Sequence, residues 1–194
     1  MELFAATGPG YVRSLTARGK RVFLDMKYYD IGETVKRAVS TAAKTGATFL
    51  TVHAVPQVMR AAMEGRGESP MKLLAVTVLT SLDETDLREM GHSETVSELV
   101  ARRVKQAREI GIDGIVASPL EARAIRELAG PDMLLVTPGV RSPGASKGDQ
   151  KRVATPGQAM HDGANYLVIG RQVTRAADPV AAVNALRIEL AEAD

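Results

Sequence analysis

Asp25, Lys27 and Asp30 stand at the end of a short apolar run, Val22 to Leu24. On a strand, alternate residues share a face, so Asp25 and Lys27 point the same way as the strand ends. Asp30 follows where the chain leaves it. Carboxylates near a lysine favour its protonated form, and a protonated lysine can act as an acid. A lone Asp-x-Lys is also compatible with a solvated strand end carrying a surface ion pair. A second set of residues suits an anion. Thr137-Pro138-Gly139-Val140-Arg141 and Gly170-Arg171 each follow an apolar run. Glycine lets a backbone approach an anion, and arginine offers a planar fork matched to phosphate oxygens. Between them runs Ser142 to Arg152, SPGASKGDQKR, a long polar stretch expected not to pack and to close over a substrate. Gln150 is the residue in it expected to reach a bound phosphate.

These residues need a frame, and the chain supplies a repeating one. Apolar, β-branched runs recur at Arg21–Leu24, Thr48–Val52, Leu73–Leu79, Gly114–Ala117, Met133–Val136 and Tyr166–Ile169. Near-continuous apolar runs of this length predict strands buried on both faces of a parallel sheet. Amphipathic segments lie between them. In one, Val96, Leu99, Val100, Val104, Ala107 and Ile110 make a stripe at helical spacing, which is core packing. Ser118-Pro119-Leu120-Glu121, Thr155-Pro156 and Asp178-Pro179 place a capping side chain before a first-turn proline. Gly46, Gly111 and Gly163 stand where a helix C-terminus calls for a left-handed residue. The alternation predicts one α/β domain, a barrel or a doubly wound sheet. The polar residues gather after the strands, and the arginines follow the last two, which favours the barrel.

Composition narrows the class. The 194 residues are 45% hydrophobic and 25% charged, as in ordinary globular proteins, and the net charge is only +2. The basic residues are scattered among acidic ones, so nothing suggests a nucleic-acid partner. The absence of cysteine removes disulfides and thiolate metal sites and fits a cytoplasmic protein. No apolar run is long enough to span a bilayer, and no signal peptide is recognisable. Aromatic residues make up 4% and tryptophan is absent, so the core must be aliphatic. His53 lies at a strand end with no second metal ligand nearby in sequence.

Seven stretches together resemble the orotidine 5′-monophosphate decarboxylase family of the bacterial type. They are FLDMKYYDIGETV (Phe23–Val35), TVHA (Thr51–Ala54), LLAVTVLTSLDETDL (Leu73–Leu87), GIDGIVASPLEA (Gly111–Ala122), LLVTPGVR (Leu134–Arg141), DQKRVATPGQAM (Asp149–Met160) and NYLVIGRQVTRAADP (Asn165–Pro179). The resemblance implies a (β/α)8 barrel and decarboxylation of orotidine 5′-monophosphate to uridine 5′-monophosphate in de novo pyrimidine synthesis. It implies that Lys27 protonates the pyrimidine carbon that loses carbon dioxide. Asp25 and Asp30 would belong to the charged array, Asp25 near the departing carboxylate. Asp30, Ile31 and Thr34 would reach the neighbouring subunit's site, so a homodimer with shared active sites is implied. Thr80 would hydrogen-bond the pyrimidine, and Arg141, Gln150, Gly170 and Arg171 would hold the phosphate. Neither a metal nor an organic cofactor is implied.

The chain departs from that family in several places. The family's first strand carries an aspartate, and its second ends in a lysine just before the stretch matching Met1-Glu2-Leu3-Phe4. The expectation is therefore residues 1–194 as a single barrel domain, N-terminally truncated, with about six of the eight β/α units. Tyr29, Gly32-Glu33, Val55-Pro56 and Gln172 stand where the family commonly has His, Pro-Asn, a glycine-rich turn and Pro. Two other functions fit parts of the pattern. One is a magnesium-dependent decarboxylase of a sugar phosphate sharing Asp-x-Lys-x-x-Asp. The other is a catalytically inactive barrel that binds nucleotide phosphate or another subunit.

Overall fold

The computed structural model describes residues 1–142 and 152–192 of the chain. Helices and strands alternate: α1 (Glu2–Ala17), β1 (Phe23–Tyr28), α2 (Gly32–Ala43), β2 (Phe49–His53), α3 (Pro56–Arg66), β3 (Lys72–Val76), α4 (Glu84–Glu89), α5 (Val96–Ile110), β4 (Gly114–Val116), α6 (Ala122–Ala129), β5 (Leu134–Pro138), α7 (Pro156–His161), β6 (Tyr166–Val168), α8 (Arg171–Thr174) and α9 (Pro179–Ala191). Sheet order follows chain order, β1 to β6. The pairs β1/β2, β2/β3 and β5/β6 run parallel, as β-α-β connections require. The chain forms two compact units, Met1–Val76 with Gln106–Ile115, and Thr77–Lys105 with Val116–Asp194.

In the first unit the core is aliphatic, as the composition predicts. Leu50, Val52, Met59, Leu73, Leu74, Val35 and Val39 are essentially inaccessible to solvent. Phe23 and Phe49 add one edge-to-face contact between β1 and β2, with centroids 6.1 Å apart. α2 and α3 approach closely because Gly65 has no side chain: a Cβ there would lie 2.2 Å from the Lys36 carbonyl oxygen. Asp113 accepts from Arg66 (2.5 Å), Lys72 (2.9 Å) and the backbone N–H of Leu73 (2.9 Å). It thereby anchors the start of β3.

In the second unit, α5 buries Val96, Leu99, Val100 and Val104 of the stripe read from the sequence; farther along the helix, in the first unit, Ala107 is buried and Ile110 only half-buried. Arg126 of α6 is a clasp. Its guanidinium donates to the carbonyls of Gly130 (2.7 Å), Met133 (2.8 Å) and Gly163 (2.7 Å), and to Asn165 Oδ1 (2.7 Å). Asn165 Oδ1 also accepts the Leu135 N–H at 2.8 Å, which ties the entry of β6 to β5. The caps hold as predicted: Thr155 accepts from the N–H of Gln158, and Asp178 from those of Val180 and Ala181. Gly46, Gly111 and Gly163 adopt φ of +77°, +84° and +103°, the left-handed turns expected of them.

Three expectations need correction. β1 extends through Tyr28, so Asp25 and Lys27 lie inside the strand and not beyond it. β3 ends at Val76, short of Leu79, because the carbonyls of Val78 and Leu79 accept from Arg152. Burial on both faces holds for β2 to β4, but every residue of β6, and all of β1 except Leu24, is only half-buried. These two come first and last in the sheet order, so among the described residues each has a strand neighbour on one side only.

Candidate active site

Asp25 and Lys27 are brought together by an irregularity in β1. Leu24 pairs with Leu50 and Tyr28 with Val52. Between those pairs Thr51 alone faces Asp25, Met26 and Lys27. Extra residues on one strand bend it and re-aim its side chains. The bend is concentrated at Lys27, whose φ is +55°, the one positive value at a non-glycine among the described residues. A side chain rarely tolerates that conformation, which costs about 1–3 kcal/mol and persists where the surroundings impose it. The result is a lysine turned back onto its neighbour: Nζ donates to Asp25 Oδ2 at 2.6 Å. Both side chains keep part of their surface open, 27% for Lys27 and 39% for Asp25.

Thr51 underlies this pair. Its hydroxyl accepts the Lys27 N–H at 2.8 Å and donates to Asp25 Oδ1 at 3.0 Å, and the residue is fully buried. Sequence reasoning missed it, because a threonine in a strand needs no explanation beyond its β-branched shape. The neighbouring Tyr28 is half-buried, and loss of solvent pushes its hydroxyl above the usual tyrosine range. Tyr29 lies against His53, with rings 5.5 Å apart and tilted by 54°.

Asp30, Ile31 and Thr34 are exposed on the turn after β1 and in the first turn of α2. Asp30 Oδ1 accepts the Ile31 N–H at 2.7 Å, which fixes the entry to α2. Among the ion pairs of the described residues, Lys27 has Asp25 as its partner and Asp30 does not appear.

In the second unit, Thr80 lies buried just past the end of β3. Arg141 follows Gly139, whose φ is +79°. Its N–H donates to the Ala154 carbonyl at 3.0 Å and its guanidinium to the Val140 carbonyl at 2.7 Å. Gly170 opens α8, and a Cβ added there would meet nothing within 4 Å, so its backbone is open to an approaching group. Arg171 is exposed beside it. The residues adjoining the two arginines are tied together. Gln172 Nε2 donates to Ser142 Oγ at 2.6 Å, Gln172 Oε1 accepts the Ser142 N–H at 3.3 Å, and Ser142 Oγ donates to Glu189 at 2.5 Å. In the sequence Gln172 stands out only as a departure from the family pattern, and nothing there signals this link. Gln150 lies outside the described residues.

The expectation that the stretch from Ser142 to Arg152 does not pack is wrong at both ends. Ser142 is held as above, and Arg152 is buried. Arg152 donates to Glu121 Oε1 at 2.5 Å and to the carbonyls of Val78 (3.2 Å) and Leu79 (3.1 Å). It thus joins the segment bearing Thr80 to the turn after β4. Burial holds the Glu121 carboxyl above the usual range, although Arg152 and Ser118 pull it down. A charged residue in a polar run gives no sign in sequence that its partner lies thirty-one positions earlier. Among the described residues no three His, Asp or Glu side chains gather as a metal ion would need.

The arrangement supplies a positioned ammonium beside a carboxylate in one unit and arginines with open backbone in the other. Comparison with known proteins agrees with the reading from the motifs. The chain matches a family model described as orotidine 5'-phosphate decarboxylase / HUMPS family over residues 1–186. It is 54% identical over 189 residues to the orotidine 5'-phosphate decarboxylase of Rhodopseudomonas palustris (strain BisA53), covering 97% of this chain and 80% of that protein. The enzyme of the same name from Methylobacterium radiotolerans is 54% identical over 190 residues, covering 98% of this chain and 82% of that one. The crystal structure of orotidine 5'-phosphate decarboxylase from Lactobacillus acidophilus superposes with a TM-score of 0.81 at 39% identity, covering 94% of this chain and 81% of that one. The fold is accordingly of the (β/α)8 TIM-barrel family, with six strands among the described residues. Matched along its length in sequence and in structure, the chain belongs to the orotidine 5'-phosphate decarboxylase / HUMPS family.

Proposed function

We propose that this chain is a carboxy-lyase that converts orotidine 5′-monophosphate to uridine 5′-monophosphate, as a cytoplasmic enzyme of pyrimidine synthesis and as one barrel domain. The observation that carries the reading is the Lys27 ammonium held 2.6 Å from Asp25 on the bent end of β1. Breaking the bond to the substrate carboxylate releases carbon dioxide and leaves an electron pair on the pyrimidine carbon. A group that stabilises this charge lowers the barrier only if it acts more strongly on the transition state than on the substrate. Lys27 does so as an ammonium, then gives its proton to that carbon and recovers one from water. Asp25 orients the ammonium and lies near the departing carboxylate.

Thr80 hydrogen-bonds the pyrimidine, and Arg141, Gln150, Gly170 and Arg171 hold the phosphate. Binding energy gathered at the phosphate, away from the reacting carbon, then serves to assemble the site. Asp30, Ile31 and Thr34 complete the site of a second subunit in a homodimer. The reaction as proposed uses no cofactor or metal.

The test is the ultraviolet absorbance change when the purified chain meets orotidine 5′-monophosphate, with Lys27→Ala as control and a chelator in a parallel cuvette. Turnover that survives the chelator and is lost in the control is expected. Turnover retained by Lys27→Ala removes Lys27 from the chemistry, and loss to the chelator points to a metal-dependent decarboxylase.

A further inference from the structure

The Thr51 hydroxyl has one proton and two lone pairs, and its buried position assigns both sides of it. The proton goes to Asp25 Oδ1 at 3.0 Å, and a lone pair takes the Lys27 N–H at 2.8 Å. The same two residues are joined again at 2.6 Å through Nζ and Oδ2. A closed ring results: hydroxyl to carboxylate, carboxylate to ammonium, and the lysine backbone back to the hydroxyl. Lys27 sits in that ring at φ +55°, a conformation its own side chain disfavours. Its N–H lies opposite Thr51 in the bent stretch between the Leu24–Leu50 and Tyr28–Val52 pairs. A valine there would keep the shape and the β-branched packing but neither hydrogen bond.

We propose that Thr51 is a positioning residue for the reaction. Its hydroxyl holds the Lys27 backbone in the left-handed conformation and turns the Asp25 carboxylate so that its second oxygen meets the ammonium. The inference rests on the proposed role of Lys27. It predicts that Thr51 governs the chemical step and not the grip on the nucleotide, because the partners of its hydroxyl are Lys27 and Asp25.

Two measurements test it on the full chain, with Thr51→Val, Thr51→Ser and Lys27→Ala beside the wild type. In the first, kcat and KM for orotidine 5′-monophosphate are measured together with the Kd of uridine 5′-monophosphate. Thr51→Val is expected to lower kcat by about tenfold or more, the loss of one hydrogen bond to a carboxylate and one to a backbone N–H. KM and Kd should stay within about twofold, and Thr51→Ser should restore most of kcat. A Thr51→Val chain with wild-type kcat overturns the inference, as does one that loses nucleotide binding in proportion, since Thr51 then supports the fold and not the pair. In the second, lysines are acetylated under limiting reagent and read by peptide mass. Released from the ring, Lys27 should label several-fold faster in Thr51→Val while Lys36 and Lys105 keep their rates. Unchanged labelling at Lys27 also overturns it. Labelling needs no turnover, so it is decided separately from the function itself: Lys27→Ala retaining activity would sink the role of Lys27, whereas an inert Lys27→Ala beside an unaffected Thr51→Val sinks only the role of Thr51.

Discussion

Arg171 touches no reacting atom in the proposed mechanism, yet a grip on the phosphate gives it a large effect on rate. A hydrogen bond to a charged group contributes about 1.5–3 kcal/mol, so Arg171→Ala should lower kcat/KM for orotidine 5′-monophosphate by roughly ten- to a hundredfold. The loss should vanish when the substrate is orotidine, which has no phosphate. An equal loss with both substrates would show that Arg171 supports structure. Lys27 and Arg171 stand out in the sequence only in combination with the other motifs, since a lone Asp-x-Lys is also a surface ion pair and a lone Gly-Arg is commonly a turn. Thr51 does not stand out, since what distinguishes it is its partners and not its type. Arg152 carried a misleading signal: its setting in a polar run hides a buried side chain.

At the scale of elements, close approach and buried charge decide what the molecule tolerates. α2 and α3 meet at Gly65, where a Cβ would lie 2.2 Å from the Lys36 carbonyl oxygen. That atom is backbone and cannot swing aside. Gly65→Ala should therefore cost about 1–3 kcal/mol despite the better helix propensity of alanine, measured as a lowered denaturant midpoint; an unchanged midpoint would mean the helices slide freely. The Arg152–Glu121 pair, both members about nine-tenths buried, is a harsher case. Arg152→Met strands a carboxyl in the interior and should destabilise by about 3–5 kcal/mol, while Arg152→Met with Glu121→Leu should recover most of the loss. Double-mutant unfolding that merely adds the two single losses would refute the pairing.

The same pair gives a pH dependence with a definite sign. Burial raises the Glu121 pKa above its value in the unfolded chain, so the folded protein binds that proton more tightly. Its contribution to stability is complete below the ordinary glutamate pKa and is lost as the pH rises through the folded value. Glu121→Gln cannot titrate. Its stability relative to the wild type should therefore improve as pH rises across that window, read by urea unfolding at a series of pH values. A difference independent of pH would mean that Arg152 offsets the burial completely.

For the whole molecule, the proposed homodimer places Asp30, Ile31 and Thr34 at a neighbouring site. Ile31 and Tyr29, 70% and 68% exposed, leave apolar surface open there. Ile31→Asp should shift the protein toward monomer in sedimentation velocity, and its specific activity should fall on dilution while the wild type's holds. A monomeric wild type with full activity would remove the shared site.

The amino-acid sequence by itself determined the alternation of six strands with helices, the helix caps and the left-handed glycine turns. It did so because each depends on neighbours a few residues away: period, capping side chain, and the one residue without a Cβ. It also carried the family, since D-x-K-x-x-D, T-P-G-V-R and G-R-x-V-T are local strings in a particular order. Only the tertiary structure decided how the charged residues are held. The bend at Lys27 exists because one residue of β2 faces three of β1. The burial of Arg152 exists because Glu121 and the Val78 and Leu79 carbonyls converge on it. Such contacts join positions tens of residues apart, and nothing in the local pattern of a chain records which distant group will satisfy a buried donor.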